Sequence, residues 1–572
     1  MPEAVLIITF SPIQPFIIEA RRTADLFTGS RILVTLSKAV KSTLQTNHAQ
    51  LVYPVSETAD LPNKLVAVVP WDQAKEIAAA ARKDMLVKWQ QITESARTYL
   101  SRLEPNPDPT WNQIFERQVG NPGDDPHPYW EYYWAAALIR EGGYAKAYLE
   151  AEQALNSAKR CRSFAQISEP GIKDSLSGRR EALHTKNQDA RLYWQNLHAK
   201  LSNPSQLRSG ERLDAFGAVK RFSSFSVGKT FPSTSTIAAR PCLTAVCASP
   251  SASSSLRQYR EKLESLLQGA LVRIADHPDW PYDGDFLYPE TLLPKNLVDA
   301  FPEISLDPQK LKEAQAALEK IHGAPSSYYA ILALDGDSMG AHITEQLEKA
   351  DPLASHQEFS RNLSHFASQV PVAIQKHQAE LVYNGGDDVL ALAPLSTCMD
   401  LYFDLAALFN QLTGCTASCG MAIAHRNYPL GTAIKTARQA ESRAKAVENK
   451  DAVCVHVIKR SGESIEVRGR RAIISVNFTA YQGLISGASP QLSNRFAYDL
   501  LQSTYALPEA NGMLTSETRR LLQRHRVEHA ALDCVAWAEK LRAWAEGLPG
   551  GPEELARWLL LARFVVSGGG EL

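Results

Sequence analysis

Hydrophobic positions along the chain form two similar series of short apolar runs separated by amphipathic stretches. The first series opens with residues 4–10 and the second with residues 328–334. In each series a helical pattern follows, then two apolar stretches joined by a turn, then another helical pattern. We therefore expect an internal duplication of one unit that opens with a strand, a helix, a hairpin and a helix.

The predicted elements of the first copy are a strand at 4–10, a helix at about 15–45, hairpin strands at 51–55 and 64–69, and a helix at 71–103. Residues 105–128 are rich in Pro, Asn and Asp, which predicts a loop, and residues 143–162 predict an amphipathic helix. The polar, basic stretch 169–221 predicts an irregular linking module.

The predicted elements of the second copy are strands at 327–334, 416–425 and 452–458, a hairpin at 381–393, and helices at 339–349, 355–380, 396–412 and 429–447. The opening β-α-β-β-α-β order is ferredoxin-like. The predicted fold class is α+β, with two ferredoxin-like palm domains of the nucleotidyl cyclase type, a linking module and a C-terminal helical domain. The expected boundaries are 1–165, 166–320, 321–485 and 486–572.

The hairpin of the second copy carries two adjacent carboxylates. Its turn contains Gly385 and Gly386, which permit a tight turn, followed by Asp387 and Asp388. Neighbouring carboxylates repel each other, and a divalent cation is the usual reason for a fold to hold them together. A turn of this kind could also be merely solvated, so the pair needs a second acidic site to indicate metal chemistry.

That second site follows the strand at 327–334, which ends in Asp335, Gly336 and Asp337. A strand ending in Asp, two helices and a hairpin tipped by two Asp residues is the layout of a nucleotide-polymerising palm. Asp335, the Gly336 carbonyl and the hairpin carboxylates are expected to hold two Mg²⁺ or Mn²⁺ ions. An Asp-Gly-Asp turn alone is common, and residues 283–285 form a second one with no long apolar strand before it.

Lys445 lies in the helix predicted at 429–447 and could reach triphosphate oxygens as a point charge; a solvated helix face is an equal alternative.

His525 and His529 fit an inverted zinc-protease spacing. Four arginines surround them and favour a phosphate backbone or an acidic partner over a metal ion. These residues, the candidate partner-binding cluster, are Arg519, Arg520, Arg524 and Arg526.

Composition narrows the class of protein. The chain has 572 residues and a net charge of −1, so several domains are expected and nucleic-acid contacts must come from local basic patches. Its eight cysteines show no C-x-x-C spacing, which is typical of reduced cytosolic thiols. No apolar run approaches membrane-spanning length, so we expect a cytoplasmic protein with no membrane partner.

Four segments together resemble the large subunit of type III CRISPR effector complexes, most closely the Cmr branch. They are residues 16–30, 231–235, 334–340 and 385–388. The resemblance implies two palms packed face to face with ATP between them, the second palm joining ATP into cyclic oligoadenylates when target RNA binds the guide-RNA complex. It places Asp335, Asp337, Asp387 and Asp388 at metal and catalytic positions. It also places Ser30, Gly385 and Gly386 near the nucleotide.

Two departures from that family change the expectations. The chain begins at the first palm, so the HD nuclease activity of many relatives is expected to be absent. The relatives' zinc module has two Cys-x-x-Cys pairs, whereas the counterparts here, residues 174–177 and 214–217, contain no cysteine, so no zinc is expected. The implied partners are other Cmr-type subunits, guide CRISPR RNA, target RNA and ATP. Two alternatives remain open, a non-catalytic scaffold subunit and a free-standing nucleotidyl or diguanylate cyclase.

Overall fold

The computed structural model describes most of the chain. The described residues are 2–56, 60–104, 108–161, 169–201, 206–274, 279–301, 304–321, 323–460, 462, 464–487, 489–507 and 511–570.

The first palm is a four-stranded antiparallel sheet with helices on both faces. Its elements are β1 (Glu3–Ser11), α1 (Gln14–Ile18), α2 (Thr23–Thr46), β2 (Gln50–Tyr53), β3 (Lys64–Pro70), α3 (Ala74–Leu103), α4 (Pro109–Val119), β4 (Glu131–Leu138) and α5 (Gly143–Arg160). The strand order is β2-β3-β1-β4. Helices α2 and α3 pack together, and α5 covers β4 and β1.

Two predictions for the first palm were wrong, and one strand was missed. The helix expected at 15–45 is broken at residues 19–22, where Asp25 accepts hydrogen bonds from the backbone N–H groups of Arg21 and Arg22 and starts α2. The loop expected at 105–128 contains α4, whose N-cap Asp108 accepts a hydrogen bond from the N–H of Trp111. Residues 105–107 lie outside the described residues. Strand β4 was not predicted.

The linking module is more ordered than its composition suggests. Its helices are α6 (Ala190–Lys200), α7 (Ala215–Phe222), α8 (Thr234–Ala248), α9 (Pro250–Leu267), α10 (Pro294–Ala300) and α11 (Pro308–Glu319). Arg221 on α7 is buried and contacts Asp25 at 2.8 Å and Glu211, so a buried ion network ties α7 to the start of α2. An apolar core of its own joins α8, α9 and α11.

The second palm has six strands. Its elements are β5 (Tyr328–Gly336), α12 (Met339–Leu347), α13 (Pro352–Lys376), β6 (Glu380–Asn384), β7 (Asp388–Pro394), α14 (Cys398–Thr413), β8 (Ala417–His425), α15 (Leu430–Lys445), β9 (Ala452–Ile458) and β10 (Ser464–Arg470). The strand order is β10-β9-β8-β5-β7-β6, with only β8 and β9 parallel. Side chains alternate along β5: Leu332 and Leu334 face α13 and α14, whereas Ile331 and Ala333 belong to the core on the opposite face.

The two palms share one topology, which confirms the predicted duplication. The order β2-β3-β1-β4 is repeated as β6-β7-β5-β8. Both edge strands also carry a register shift at the same place, between Leu51 and Tyr53 in β2 and between Leu381 and Tyr383 in β6. The α+β fold with two palms is therefore confirmed.

The palms pack against each other with approximate two-fold symmetry. Helix α13 of the second palm packs on β2 and α5, while α2 of the first palm packs on β6. Hydrogen bonds join them, from the Gln357 side-chain amide to the Leu51 carbonyl and from the Val55 N–H to Ser360 Oγ. The β6–β7 hairpin is thereby held against the first palm.

The C-terminal region is helical and follows β10. Its helices are α16 (Arg471–Ile485), α17 (Phe496–Ala506), α18 (Asn511–His525), α19 (Cys534–Glu546) and α20 (Gly551–Val566). Helix α20 packs on β10, α16 and α17, which joins this region to the second palm. Among the described residues, no helix combines the length and apolar character needed to span a bilayer.

Candidate active site between the two palms

The hairpin turn projects the Asp387–Asp388 pair from the edge of the second sheet. The Gly385 N–H donates to the Asp388 carbonyl at 2.8 Å, and the Asp387 carbonyl accepts from the Gly336 N–H at 3.1 Å. Gly386 has φ +102°, a conformation that side chains disfavour. The turn is thus pinned to the end of β5, where Asp335 lies.

Asp335 and Asp388 face each other directly across the β5–β7 ladder. Both side chains are half-buried, as is that of Asp387. Burial and the neighbouring charge of Asp388 raise the pKa of Asp387 to about 6. Three carboxylates therefore share one small region, and their repulsion requires nearby positive charge.

Helix α15 supplies that positive charge. Lys445 contacts Asp335 Oδ2, and its Nζ also donates to the Gly336 carbonyl at 3.2 Å. Arg438 lies two turns earlier and donates to Asp388 Oδ1 at 3.0 Å and to Oδ2 at 3.3 Å. Gly420 permits this approach, because a Cβ there would lie 2.0 Å from the backbone nitrogen of Glu441 on α15.

Asp337 occupies a different environment from the other acidic residues. It is 2% exposed, and its Oδ2 accepts hydrogen bonds from Thr416 Oγ1 at 2.9 Å and from the Asp451 N–H at 3.0 Å. Its Oδ1 has no hydrogen-bond partner among the described residues. These contacts favour a role in fixing the end of β5, and metal ligation by Asp337 stays a prediction.

The first palm contributes side chains to the same region. The Tyr53 hydroxyl lies 3.5 Å from the Gly385 carbonyl, and burial together with the charge of Asp387 raises its pKa well above the usual value. Ser30 is buried on α2, the helix that packs on β6. Within the part of the chain that the structure describes, no hydrogen bond joins Ser30 to the acidic turn, so its nucleotide-binding role stays a prediction.

The donor set fits a magnesium or manganese ion. Asp335, the Gly336 carbonyl, Asp387 and Asp388 offer hard oxygen ligands, which these ions prefer. Within the described ranges, no three His, Cys, Asp or Glu side chains already converge on one point. Lys445 and Arg438 neutralise the carboxylates instead, so a metal ion would replace the Lys445 ammonium at Asp335.

The histidine motif at residues 525–529 is not contained in one helix. Helix α18 ends at His525, whose Nε2 lies 2.9 Å from Asp499 Oδ2. His529 follows the helix with φ +65° and is exposed, so the two rings do not share a helix face. The side chains of the partner-binding cluster are all exposed. Among the described residues, Arg520 alone of the four forms a close ion pair, with Glu517 at 2.7 Å. Partner binding by this cluster stays a prediction.

The remaining acidic motifs have structural contacts. Asp283 is half-buried and accepts a hydrogen bond from Ser233 Oγ at 2.6 Å, and Asp285 contacts Arg426 at 2.8 Å. This turn therefore joins the linking module to the end of β8. Asp174 and Asp214 occupy the positions expected for the zinc cysteines. The Arg180 side chain contacts Asp214, and the Arg180 backbone N–H donates a hydrogen bond to Asp174 Oδ2 at 3.3 Å.

Sequence reasoning missed Arg438, Tyr53 and Lys64, which begins β3 beside the strand that carries Tyr53. The seven-residue spacing between Arg438 and Lys445 corresponds to two helical turns and could have indicated a shared face. The first-palm residues carried no local signal, because their relation to the acidic turn depends on the packing of the two palms.

Fold and site define a two-palm protein of the nucleotidyl cyclase-like type. Residues 328–454 match the family model described as Cas10/Cmr2, second palm domain, and residues 5–94 match that of CRISPR-associated protein Cmr2, N-terminal. The two matches cover the N-terminal part and most of the second palm, so the chain is similar to the Cas10/Cmr2 family over these two regions.

One curated relative and two solved structures show the same similarity. The Cmr subunit Cmr2 of Pyrococcus furiosus is 30% identical over 191 residues, an alignment that covers 27% of this chain and 22% of that protein. The cryo-EM structures of type III-B Cmr-beta in the apo state and bound to cognate target RNA share the fold, with TM-scores of 0.67 and 0.66 at 12% and 13% identity. Each covers 100% of this chain, which covers 82% and 83% of theirs.

Proposed function

We propose that the second palm joins ATP molecules into cyclic oligoadenylates, as the large subunit of a type III CRISPR effector complex that responds to target RNA. The observation that carries this proposal is the direct cross-strand pairing of Asp335 with Asp388 beside Asp387, with Lys445 and Arg438 opposite them. A scaffold has no need to hold three repelling carboxylates at a half-exposed turn.

The bond-forming step is nucleotidyl transfer. The 3′-hydroxyl of one nucleotide attacks the α-phosphorus of another, the O3′–P bond forms, the bond to the β-phosphate oxygen breaks, and pyrophosphate leaves. Bound Mg²⁺ or Mn²⁺, held by Asp335, the Gly336 carbonyl and Asp388, would neutralise charge on the phosphates. Asp387 adds a further carboxylate oxygen beside these ligands, and the proton of the attacking hydroxyl passes to water.

Lys445 and Arg438 have two roles in this proposal. Without substrate they neutralise the acidic residues that they contact. When a nucleotide binds, the Lys445 ammonium would leave Asp335 and contact the triphosphate, because its flexible stem carries a point charge with several donors. The exchange keeps charges paired in both states.

Partners form part of the proposal. The similar Cmr-beta assemblies are multi-subunit structures, one of them bound to cognate target RNA. By analogy, guide RNA and other Cmr-type subunits assemble around this chain, and target RNA activates the second palm. The analogy rests on fold, because sequence identity is low.

The test is direct product analysis. The chain, assembled with its effector subunits and guide RNA, is incubated with ATP and Mn²⁺, with and without target RNA, and products are identified by mass spectrometry. Cyclic oligoadenylates that form only with target RNA support the proposal. Synthesis by the isolated chain without RNA would favour the free-standing cyclase, and no product under any condition would favour the scaffold.

A further inference from the structure

The first palm places Lys64 where the second palm places Asp388. Strand β3 begins at Lys64 and runs seven residues to Pro70, and β7 begins at Asp388 and runs seven residues to Pro394. On the neighbouring strand Lys64 pairs with Thr9, as Asp388 pairs with Asp335. The duplication has therefore replaced both acidic positions, one by a hydroxyl and one by a cation.

The helix opposite this position shows the same inversion of charge. Helix α5 covers β4 and β1 as α15 covers β8 and β5. Lys64 Nζ lies 2.7 Å from Glu152 Oε2 on α5, just as Asp388 lies 3.0 Å from Arg438 on α15. The two palms thus carry the same ion pair with the charges exchanged between strand and helix.

Lys64 also lies near the acidic turn. It comes two residues before Val66, the cross-strand partner of Tyr53, and the Tyr53 hydroxyl lies 3.5 Å from the Gly385 carbonyl. Partial burial and Lys64 together lower the pKa of Lys159, so a second lysine lies near the first. The Lys64 side chain remains 31% exposed, which leaves it accessible to a ligand. Two lysines that share one glutamate leave an excess of positive charge on this side of the palm interface.

We propose that Lys64 binds the phosphates of a second nucleotide, opposite the one held at Asp335. The inference rests on the proposed function and adds to it the residue by which the first palm takes part. Joining two nucleotides brings a second polyphosphate close to the three carboxylates of the turn, which repel it. A lysine at the pseudo-equivalent position offsets that repulsion, and the incoming phosphate displaces Glu152 from its ammonium.

The test measures nucleotide binding, not synthesis. The assembled complex is titrated with a non-hydrolysable ATP analogue and Mg²⁺ in a calorimeter. The variant Lys64→Met should bind the weaker of two nucleotides roughly tenfold less tightly, the size expected for a lost hydrogen bond to a charged group. Lys64→Arg should restore much of the affinity. Glu152→Gln, which frees Lys64, should bind at least as tightly as the wild type.

A matched control separates binding from ion-pair loss. Lys262 forms a similar pair with Glu313 at 2.8 Å, in the linking module, and Lys262→Met should leave nucleotide affinity unchanged. Wild-type affinity in Lys64→Met, or weaker binding in Glu152→Gln, would overturn the inference while leaving the proposed function intact. A wild-type complex that neither binds nucleotide nor makes product would overturn both.

Discussion

Arg438 on helix α15 donates hydrogen bonds to both carboxylate oxygens of Asp388, at 3.0 Å and 3.3 Å. The same guanidinium contacts Glu441 at 2.7 Å. One cation therefore neutralises two acids at the position where the proposed reaction needs a metal ion. Arg438 and a divalent cation should therefore compete for binding to the Asp388 carboxylate.

The first prediction follows from that competition. Replacing Arg438 with Met should raise the affinity for Mn²⁺ without nucleotide by about tenfold, because a nearby positive charge is removed from a partly buried site. Titration followed by electron paramagnetic resonance measures free Mn²⁺ directly. Arg443→Met on the same helix, which breaks an ion pair with Glu466, is the control and should change nothing. Unchanged or weaker Mn²⁺ binding in the Arg438 variant would contradict this account.

The second prediction concerns the ion network that starts α2. Replacing Arg221 with Met removes the buried cation that contacts both Asp25 and Glu211, although Glu211 keeps an ion pair with Arg22 at 3.3 Å. The loss should lower the free energy of unfolding by about 3–5 kcal/mol. Urea denaturation at neutral pH measures the loss. A change below about 1 kcal/mol would show that the network contributes little.

The same network predicts a pH dependence for the wild type. Burial alone would raise the pKa of Asp25, but the charge and hydrogen bonds of Arg221 lower it to about 2, below its usual 3.8. The stabilisation is therefore complete above about pH 4 and is lost as the pH falls toward 2. Urea midpoints measured from pH 5 to pH 2.5 should fall more steeply in the wild type than in Arg221→Met.

The palms and the acidic turn could be predicted from sequence for a physical reason. Buried strands and their hairpin leave short apolar runs of fixed spacing, and Asp387 and Asp388 lie at a turn that glycine marks clearly. Strand β4 was not predicted because its alanines and aromatic residues do not alternate clearly with polar residues. Helix α4 was not predicted because its start signal, Asp108 followed by Pro109, lies in a stretch rich in Pro, Asn and Asp that is typical of loops.

The charge pairing of the site could not be predicted in this way. Arg438 and Asp388 lie far apart in sequence, and only the packing of α15 on β8 brings them together. Lys64 and Tyr53 approach the turn from another domain. Interactions of this kind depend on tertiary geometry, which local periodicity does not encode.

The third prediction concerns zinc. Because Asp174 and Asp214 take the expected zinc-ligand positions and Arg180 contacts both, the purified chain should contain no stoichiometric zinc. Elemental analysis and thermal unfolding with and without a chelator test this. About one zinc per chain, or a melting temperature that falls on chelation, would contradict it.

The fourth prediction concerns the partner-binding cluster on and beside α18. Reversing two charges, Arg519→Glu and Arg524→Glu, should weaken assembly with guide RNA or partner subunits and reduce the salt dependence of binding. Both side chains are exposed, so folding should be retained. Normal assembly across a salt series would show that this cluster is only a solvated face.

The central claim is tested most directly by removing the two carboxylates of the turn and measuring product. The variant Asp387→Asn with Asp388→Asn keeps the shape of the side chains, and Asp404→Asn on α14 of the same palm serves as the control. With assembled complex, ATP, Mn²⁺ and target RNA, mass spectrometry should detect cyclic oligoadenylates from the wild type and the control. The double variant should assemble normally and yield at least a thousandfold less, roughly the loss expected when electrostatic stabilisation of the transition state is removed. Cyclic oligoadenylates at wild-type levels from the double variant would contradict the account.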